Sequence, residues 1–330
     1  MKSSAKGVYK VQNRQILPQN KEVVYPLLQI NQLLAVAASK GNYQVSPGKQ
    51  PLPGCPRIPP SLQLRGYQQQ AVANWFAAKG RGTLKMATGS GKTITGLAIA
   101  TELYHKINLQ VLLVVCPFRH LVTQWARECE KFGIEPILAF ESVHLWQTAL
   151  STQLYNVRAG NQLFLTVITT NSTLISDSFQ SQLKYFPEKS LIIGDEAHNL
   201  GAPRLEESLP RHIGLRLALS ATPERYFDEN GTQSLFDYFG PVLQPEFTLK
   251  DAIQQRALVR YLYYPILVEL TEDESRSYLK LSKSIGRSFL YRQREGQTDI
   301  LSDEDNEDLK PLLMQRARLI GAAANKLDAL

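Results

Sequence analysis

Cysteine is scarce in this chain, and long apolar runs are missing altogether. Cys55, Cys116 and Cys129 are the three cysteines among 330 residues, odd in number and without the spacing of a metal-ligand set. That count argues against a disulfide-framed secreted fold, suits a reducing cytoplasm, and leaves Cys116 as a small core residue. No stretch approaches the roughly 20 apolar residues of a membrane-spanning helix, and Met1-Lys-Ser-Ser lacks a signal-type apolar segment. Membrane partners are therefore not expected. Internal repeats and low-complexity tracts are absent too. Acids are nearly missing from the first 90 residues, where twelve Lys/Arg stand against Glu22 alone. The net charge of +7 is concentrated there, and the remainder is slightly acidic. Such a flank suits contact with a phosphate backbone, or simply keeps a segment soluble.

What is present begins with Met86-Ala-Thr-Gly-Ser-Gly-Lys-Thr93. Gly89 and Gly91 allow backbone N–H groups to turn inward, Lys92 offers a point charge to β/γ-phosphates, and the Thr93 hydroxyl can hold Mg²⁺. Met86 occupies a position where the strict phosphate-loop pattern has glycine. A helix expected over 94–103 aims its N-terminus at the loop. Further on, the apolar run Leu191-Ile-Ile193 reads as a buried parallel strand leading into Asp195-Glu-Ala-His198. There Asp195 can hold Mg²⁺ through water, and Glu196 can orient or deprotonate an attacking water. The pair of strings describes an ATP-hydrolysing engine.

Two more strings fit it. Leu64-Arg-Gly-Tyr-Gln68 precedes the loop, and the Gln68 amide can both donate to and accept from an adenine edge. Leu219-Ser-Ala-Thr-Pro223 ends an apolar strand, placing Ser220 and Thr222 where they can hydrogen-bond His198. Taken singly, Gln68 is equally a helix-start residue, and Ser220 and Thr222 an ordinary turn before proline.

As a set, Leu64–Gln68, Met86–Thr93, Val114–Trp125, Thr169-Thr170, Asp195–His198 and Ser220–Thr222 resemble motifs Q, I, Ia, Ib, II and III of superfamily 2 helicases. The similarity spans about residues 60–270 and looks nearest to XPB-like DNA translocases and the motor subunits of type I and III restriction enzymes. It implies a RecA-like P-loop ATPase fold with ATP and Mg²⁺ as ligands and a nucleic acid, DNA above all, as track. By resemblance, Arg65 and Gln68 meet adenine. Thr88, Gly89, Ser90, Gly91, Lys92 and Thr93 meet phosphate and metal. Asp195 is the metal group and Glu196 the base, while His198, Ser220 and Thr222 couple nucleotide state to the track. The chain departs from DEAD-box RNA helicases in lacking the aromatic upstream of Gln68. It departs from Swi2/Snf2 remodellers in carrying Ala-Thr-Pro at the third motif.

The expected fold class is α/β: a parallel sheet with helices on both faces over residues 61–258. A basic, proline-rich extension over 1–60 contains one short helix around 26–39. Strands are expected at 111–116, 136–140, 164–169, 191–194 and 215–219, with a helix over 119–132 that puts Trp125 in the core. Nucleic acid is expected across the carboxyl edge of the sheet, at Pro117, Arg119, Thr169 and Thr170, although Thr169 and Thr170 also suit a plain strand end. Over 259–330 the pattern gives a strand at 265–270 and then helices interrupted by the acidic stretch 299–308. An apolar face is expected on Leu312, Leu313, Leu319 and Ile320. By resemblance this region opens a second, incomplete RecA-like lobe, so the chain by itself is expected to bind MgATP and nucleic acid but to hydrolyse slowly. The missing lobe would come from further sequence or a partner chain. A nucleotide-dependent binding module and an RNA helicase fragment are the competing readings.

Overall fold

The computed structural model describes residues 52–225, 228–262, 264–294 and 309–329. The helix expected around 26–39 and the acidic stretch 299–308 lie outside the described residues. Six strands form one all-parallel sheet: β1 (Arg81–Lys85), β2 (Val111–Cys116), β3 (Ile137–Ala139), β4 (Leu165–Thr170), β5 (Ser190–Asp195) and β6 (Leu215–Ser220). Their order across the sheet is β1-β6-β5-β2-β4-β3. The helices that follow in chain order are α1 (Gly66–Ala77), α2 (Lys92–Ile107), α3 (Arg119–Lys131), α4 (Val143–Ala159), α5 (Asn171–Leu174), α6 (Asp177–Leu183), α7 (Pro203–Glu207), α8 (Glu229–Phe239) and α9 (Leu249–Gln254).

The strands read as continuous apolar runs because both faces of the sheet are covered. In β2, Leu112, Val114 and Cys116 enter one core with Trp75, Leu97 and Trp125 from α1, α2 and α3. Val111, Leu113 and Val115 enter the other, with Trp146, Phe179 and Phe239 from α4, α6 and α8. Trp75, Trp125 and Trp146 are all fully buried. Each withdraws roughly 150–250 Å² from water, or about 4–6 kcal/mol apiece at ~25 cal/mol per Å², an upper bound set before chain entropy.

β1 is hard to see in the sequence because Leu84 is its sole bulky apolar residue. Its polar Thr83 is nonetheless buried, with the hydroxyl donating to the Gly240 carbonyl at 2.8 Å. The outer edge of β1 is covered by residues 241–247. Thr83 N–H donates to the Pro241 carbonyl, and the Leu243 and Phe247 amides donate back to Thr83 and Lys85. An otherwise open strand edge is thereby closed.

The chain divides into two compact units, Met1–Val259 and Arg260–Leu330. In the second, α10 (Glu272–Arg294) packs with α11 (Leu309–Gly321), and α12 (Asn325–Asp328) follows. Thr271 and Glu274 cap the start of α10 reciprocally, and the second Glu274 oxygen accepts the Ala324 amide at 2.9 Å. The strand expected at 265–270 does not form. Within the described residues that segment has no ladder partner, and its backbone gains nothing from extending alone. Leu312, Leu313 and Leu319 are half-buried, whereas Ile320 is exposed. Among the described residues, no helix is long and apolar enough to cross a membrane.

Candidate nucleotide site and carboxyl edge

In a parallel sheet all strands end on the same side, so the loops after β1, β2, β4, β5 and β6 converge. The loop after β1 turns through Gly89 (φ 78°) and Gly91 (φ 85°), left-handed conformations that side chains resist. A Cβ on Gly91 would also stand 2.6 Å from the Gln68 amide nitrogen. Lys92 opens α2, and its buried ammonium lies 3.4 Å from the Met86 carbonyl and 3.7 Å from Glu196 Oε1. Met86 is tolerated because it still belongs to the sheet edge. Its amide donates to the Ser220 carbonyl at 3.0 Å, and it pairs with Phe247. Ser90 is buried in the turn with its Oγ lacking a hydrogen-bond partner. Thr88 and Gly89 are exposed, and Thr93 is half-buried on the first turn of α2.

Asp195 ends β5 and is 6 % exposed. Its Oδ2 accepts the Trp125 indole N–H at 2.8 Å, and Oδ1 accepts the Glu196 amide at 3.1 Å. Burial pushes its pKa above the ordinary carboxylate value, with the Glu196 charge adding. The Trp125 N–H, the Lys92 ammonium and the Glu196 amide pull it back. Glu196 sits at φ 44°, ψ 52°, a left-handed conformation costing a non-glycine residue roughly 1–3 kcal/mol. That turn swings its carboxylate toward Lys92 on one side and to 3.7 Å from His198 Nδ1 on the other.

His198 connects three strings. The Asn199 amide nitrogen lies 3.1 Å from its Nε2, and its Nδ1 lies 3.2 Å from Ser220 Oγ. Ser220 Oγ also accepts the Thr222 amide at 3.1 Å. Arg225 donates to the His198 carbonyl at 2.6 Å while pairing with Asp228.

The arrangement fits MgATP. The loop supplies backbone amides, one ammonium and, at Ser90, a buried hydroxyl without a partner, the kinds of donor that a polyphosphate needs. No group of three or more His, Cys, Asp or Glu that could hold a metal forms among the described residues. Mg²⁺ characteristically takes one or two protein groups and completes its shell with phosphate and water. Asp195 and Thr93 are suitable for that.

Several residues named from the sequence are already hydrogen-bonded within the fold. Gln68 is 5 % exposed and its amide is already spent: Oε1 accepts the Arg65 amide, and Nε2 donates to the Ser90 and Gly91 carbonyls at 3.5 and 3.4 Å. It braces the loop through these bonds. Tyr67 assists, donating to the Ser90 carbonyl at 2.6 Å while stacking on Phe247. Arg65 remains exposed. Thr169, expected as a nucleic-acid contact, is fully buried with its hydroxyl donating to the Ala139 carbonyl at 2.7 Å. Thr170, named with it, is 4 % exposed and caps α5 by accepting the Thr173 amide. Both hydroxyls are thus committed to the strand end, between β3 and α5. Pro117 is half-buried, while Phe118, Arg119 and His120 are exposed at the same edge. Arg119 pairs with Glu141 at 3.2 Å, and the rings of Phe118 and His120 stack with centroids 5.6 Å apart.

Contacts not anticipated from the sequence are those of Tyr67, Trp125, Asn199 and Arg225. One signal existed: a buried indole must place its N–H somewhere, and Trp125 was assignable to the core.

Residues 61–225 match the family model described as type III restriction enzyme, res subunit. Among curated relatives, the chain is 28% identical over 242 residues to the DNA 3'-5' translocase XPB2 of Sulfurisphaera tokodaii, covering 71% of this chain and 47% of that protein. It is 32% identical over 193 residues to the putative helicase 055L of Frog virus 3, covering 56% and 39%. It is 26% identical over 182 residues to the putative DNA 3'-5' helicase Rad25 of Haloarcula marismortui, covering 54% and 25%. The chain thus spans less than half the length of each.

Proposed function

The chain belongs to the type III restriction enzyme res subunit family, and from that premise we propose that it is the first RecA-like lobe of an ATP-driven DNA translocase or helicase. The convergence of Lys92, Asp195 and Glu196 at one sheet edge carries this reading, with Lys92 Nζ 3.7 Å from Glu196 Oε1. An ammonium and a carboxylate in ion-pair contact put the phosphate-binding charge and the water-activating base at one point of the sheet edge, and an entering phosphate would take the carboxylate's place beside Lys92.

The chain's own groups then divide the work. Loop amides, Ser90 Oγ and Lys92 Nζ bind and orient the β- and γ-phosphates. Thr93 and Asp195 hold Mg²⁺, which when bound neutralises phosphate charge. Glu196 Oε accepts the proton of the attacking water. Arg65, exposed beside Tyr67, offers its guanidinium plane to adenine, and Gln68 senses the base only through the loop it braces. His198, hydrogen-bonded to Ser220, links the acid pair to the third motif, so that a change at Glu196 is felt beyond it. Pro117 and Arg119, with the free amides at the start of α3, face the phosphates of the track.

A second lobe, in the same polypeptide or in a partner, would supply the arginine that such motors bring to the γ-phosphate. That arginine contributes roughly 10³–10⁵ in rate, so residues 1–330 alone bind MgATP and turn it over slowly. The DNA assignment rests on the relatives' names and on an edge built for backbone contacts.

Nucleotide binding by fluorescence titration tests the proposal. Wild type binds adenine nucleotide in a Mg²⁺-dependent way, Lys92→Ala abolishes this, and Glu196→Gln retains binding while hydrolysis stops. Equal affinity of wild type and Lys92→Ala would refute it.

A further inference from the structure

Trp125 is more than core. Among the three buried tryptophans it alone joins its indole N–H to a functional carboxylate, Asp195 Oδ2, at 2.8 Å. Trp75 spends its N–H on the Arg216 carbonyl, and the Trp146 N–H has no partner. Trp125 is also wedged where three functional strings meet. At the place where a Gly96 Cβ would stand, Trp125 Cη2 and Ile193 Cδ1 lie 3.2 Å away, and Leu219 Cδ1 lies 3.4 Å away. Gly96 belongs to the helix behind the phosphate loop, Ile193 to the strand ending in Asp195, and Leu219 to the strand ending in Ser220. Trp125 is fully buried at this junction, which limits the directions its donor can take.

We propose that Trp125 is a positioning residue for the metal-binding step: it holds Asp195 Oδ2 by hydrogen bonding, which presents the remaining carboxylate lone pairs to Mg²⁺. The proposal rests on the MgATP reading above. Its physical basis is that a buried carboxylate with a free torsion presents its oxygens in many directions. A donor locked by packing selects one orientation before the metal arrives. Oδ1 is already fixed by the Glu196 amide, so the two bonds together determine the plane of the carboxylate.

The test compares Trp125→Phe with Trp146→Phe in the full chain. Each removes an indole from a fully buried site, but only the first removes a donor from Asp195. The readout is the Mg²⁺ concentration needed for half-maximal binding of a fluorescent adenine nucleotide, alongside the affinity measured in EDTA. Trp125→Phe should raise the Mg²⁺ midpoint about tenfold, the lower end of the 10–100-fold losses seen when a supporting partner of a metal ligand is removed. Its metal-free affinity should stay equal to that of Trp146→Phe, whose Mg²⁺ midpoint should remain at the wild-type value. Equal midpoints in the two variants would overturn the proposal. Should wild type itself show no Mg²⁺-dependent binding, the nucleotide reading fails first, and the two failures are distinct. If Trp125→Phe does not fold, the same question is put to wild-type protein labelled with ¹⁵N-indole. The Trp125 N–H resonance, identified by eliminating those of Trp75→Phe and Trp146→Phe, should move on adding Mg²⁺ to the nucleotide-bound chain. A stationary resonance would overturn the proposal.

Discussion

Replacing Gly96 by alanine sets two effects of known size against each other. Gly96 lies inside α2, at a backbone conformation any residue can adopt. On propensity alone, alanine should stabilise the helix by about 0.8–1 kcal/mol. The new methyl, however, would sit 3.2 Å from Trp125 Cη2, 3.2 Å from Ile193 Cδ1 and 3.4 Å from Leu219 Cδ1. Carbon pairs prefer about 3.5–4.0 Å, so all three neighbours must withdraw by a few tenths of an ångström. None can do so freely: Ile193 and Leu219 are fully buried on central strands, and Trp125 is tethered to Asp195. Overpacking in such a place costs about 1–3 kcal/mol, and three rigid neighbours put the cost in the upper part of that range. The net result is a loss of about 1–2 kcal/mol. All three tryptophans lie in the first compact unit, so tryptophan fluorescence follows its unfolding selectively. For a unit of that size the transition should fall by about 2–8 °C. An unchanged or raised midpoint would show that the interface yields to an extra methyl, and the wedge described for Trp125 would lose its support.

Other outcomes follow from the same contacts. Thr169→Val leaves the buried Ala139 carbonyl without its donor and should cost about 1–3 kcal/mol in a urea titration, with DNA affinity unchanged. Arg119→Ala should do the reverse, leaving stability within about 0.5 kcal/mol and lowering the salt dependence of DNA binding by about one phosphate contact. Burial, with the neighbouring Glu128 and Glu130 charges, pushes the Cys129 thiol up to about 12, and burial with Asp195 and Cys129 pushes Cys116 well above its usual value. Both thiols should therefore resist alkylation at pH 8 until the chain is unfolded. From about pH 9 to 12 the unfolded chain releases thiol protons that the folded chain retains, so the urea midpoint should fall as pH rises through that window.

The parts legible in sequence were those where local chemistry and pattern coincide. Val111–Cys116 is apolar at every position, and a run of that kind has no stable place except a strand covered on both faces. Gly89 and Gly91 in a Gly-Ser-Gly-Lys string call for a turn with positive φ, and both adopt it. The α3 stripe of Val122, Trp125 and Cys129 fixes which side of that helix faces the core. β1 escaped because its burial depends on residues 240–247, which arrive from far along the chain to satisfy Thr83 and cover its edge. Arg216 is a similar case. It is a buried arginine whose guanidinium bonds the carbonyls of Arg211, Ile213 and Tyr238, and burial lowers its pKa to about 10.

Sequence by itself determined the glycine-rich loop, the acid pair and the parallel strands beneath them, because each is written in contiguous residues whose chemistry needs no distant partner. The tertiary structure alone decided which polar side chains are free. It sealed Thr169 and Thr170, turned Gln68 inward against the loop, and gave the Trp125 N–H to Asp195. The physical reason is that a donor or acceptor is committed by whatever lies within about 3 Å in space, and spacing along the chain carries no record of that distance.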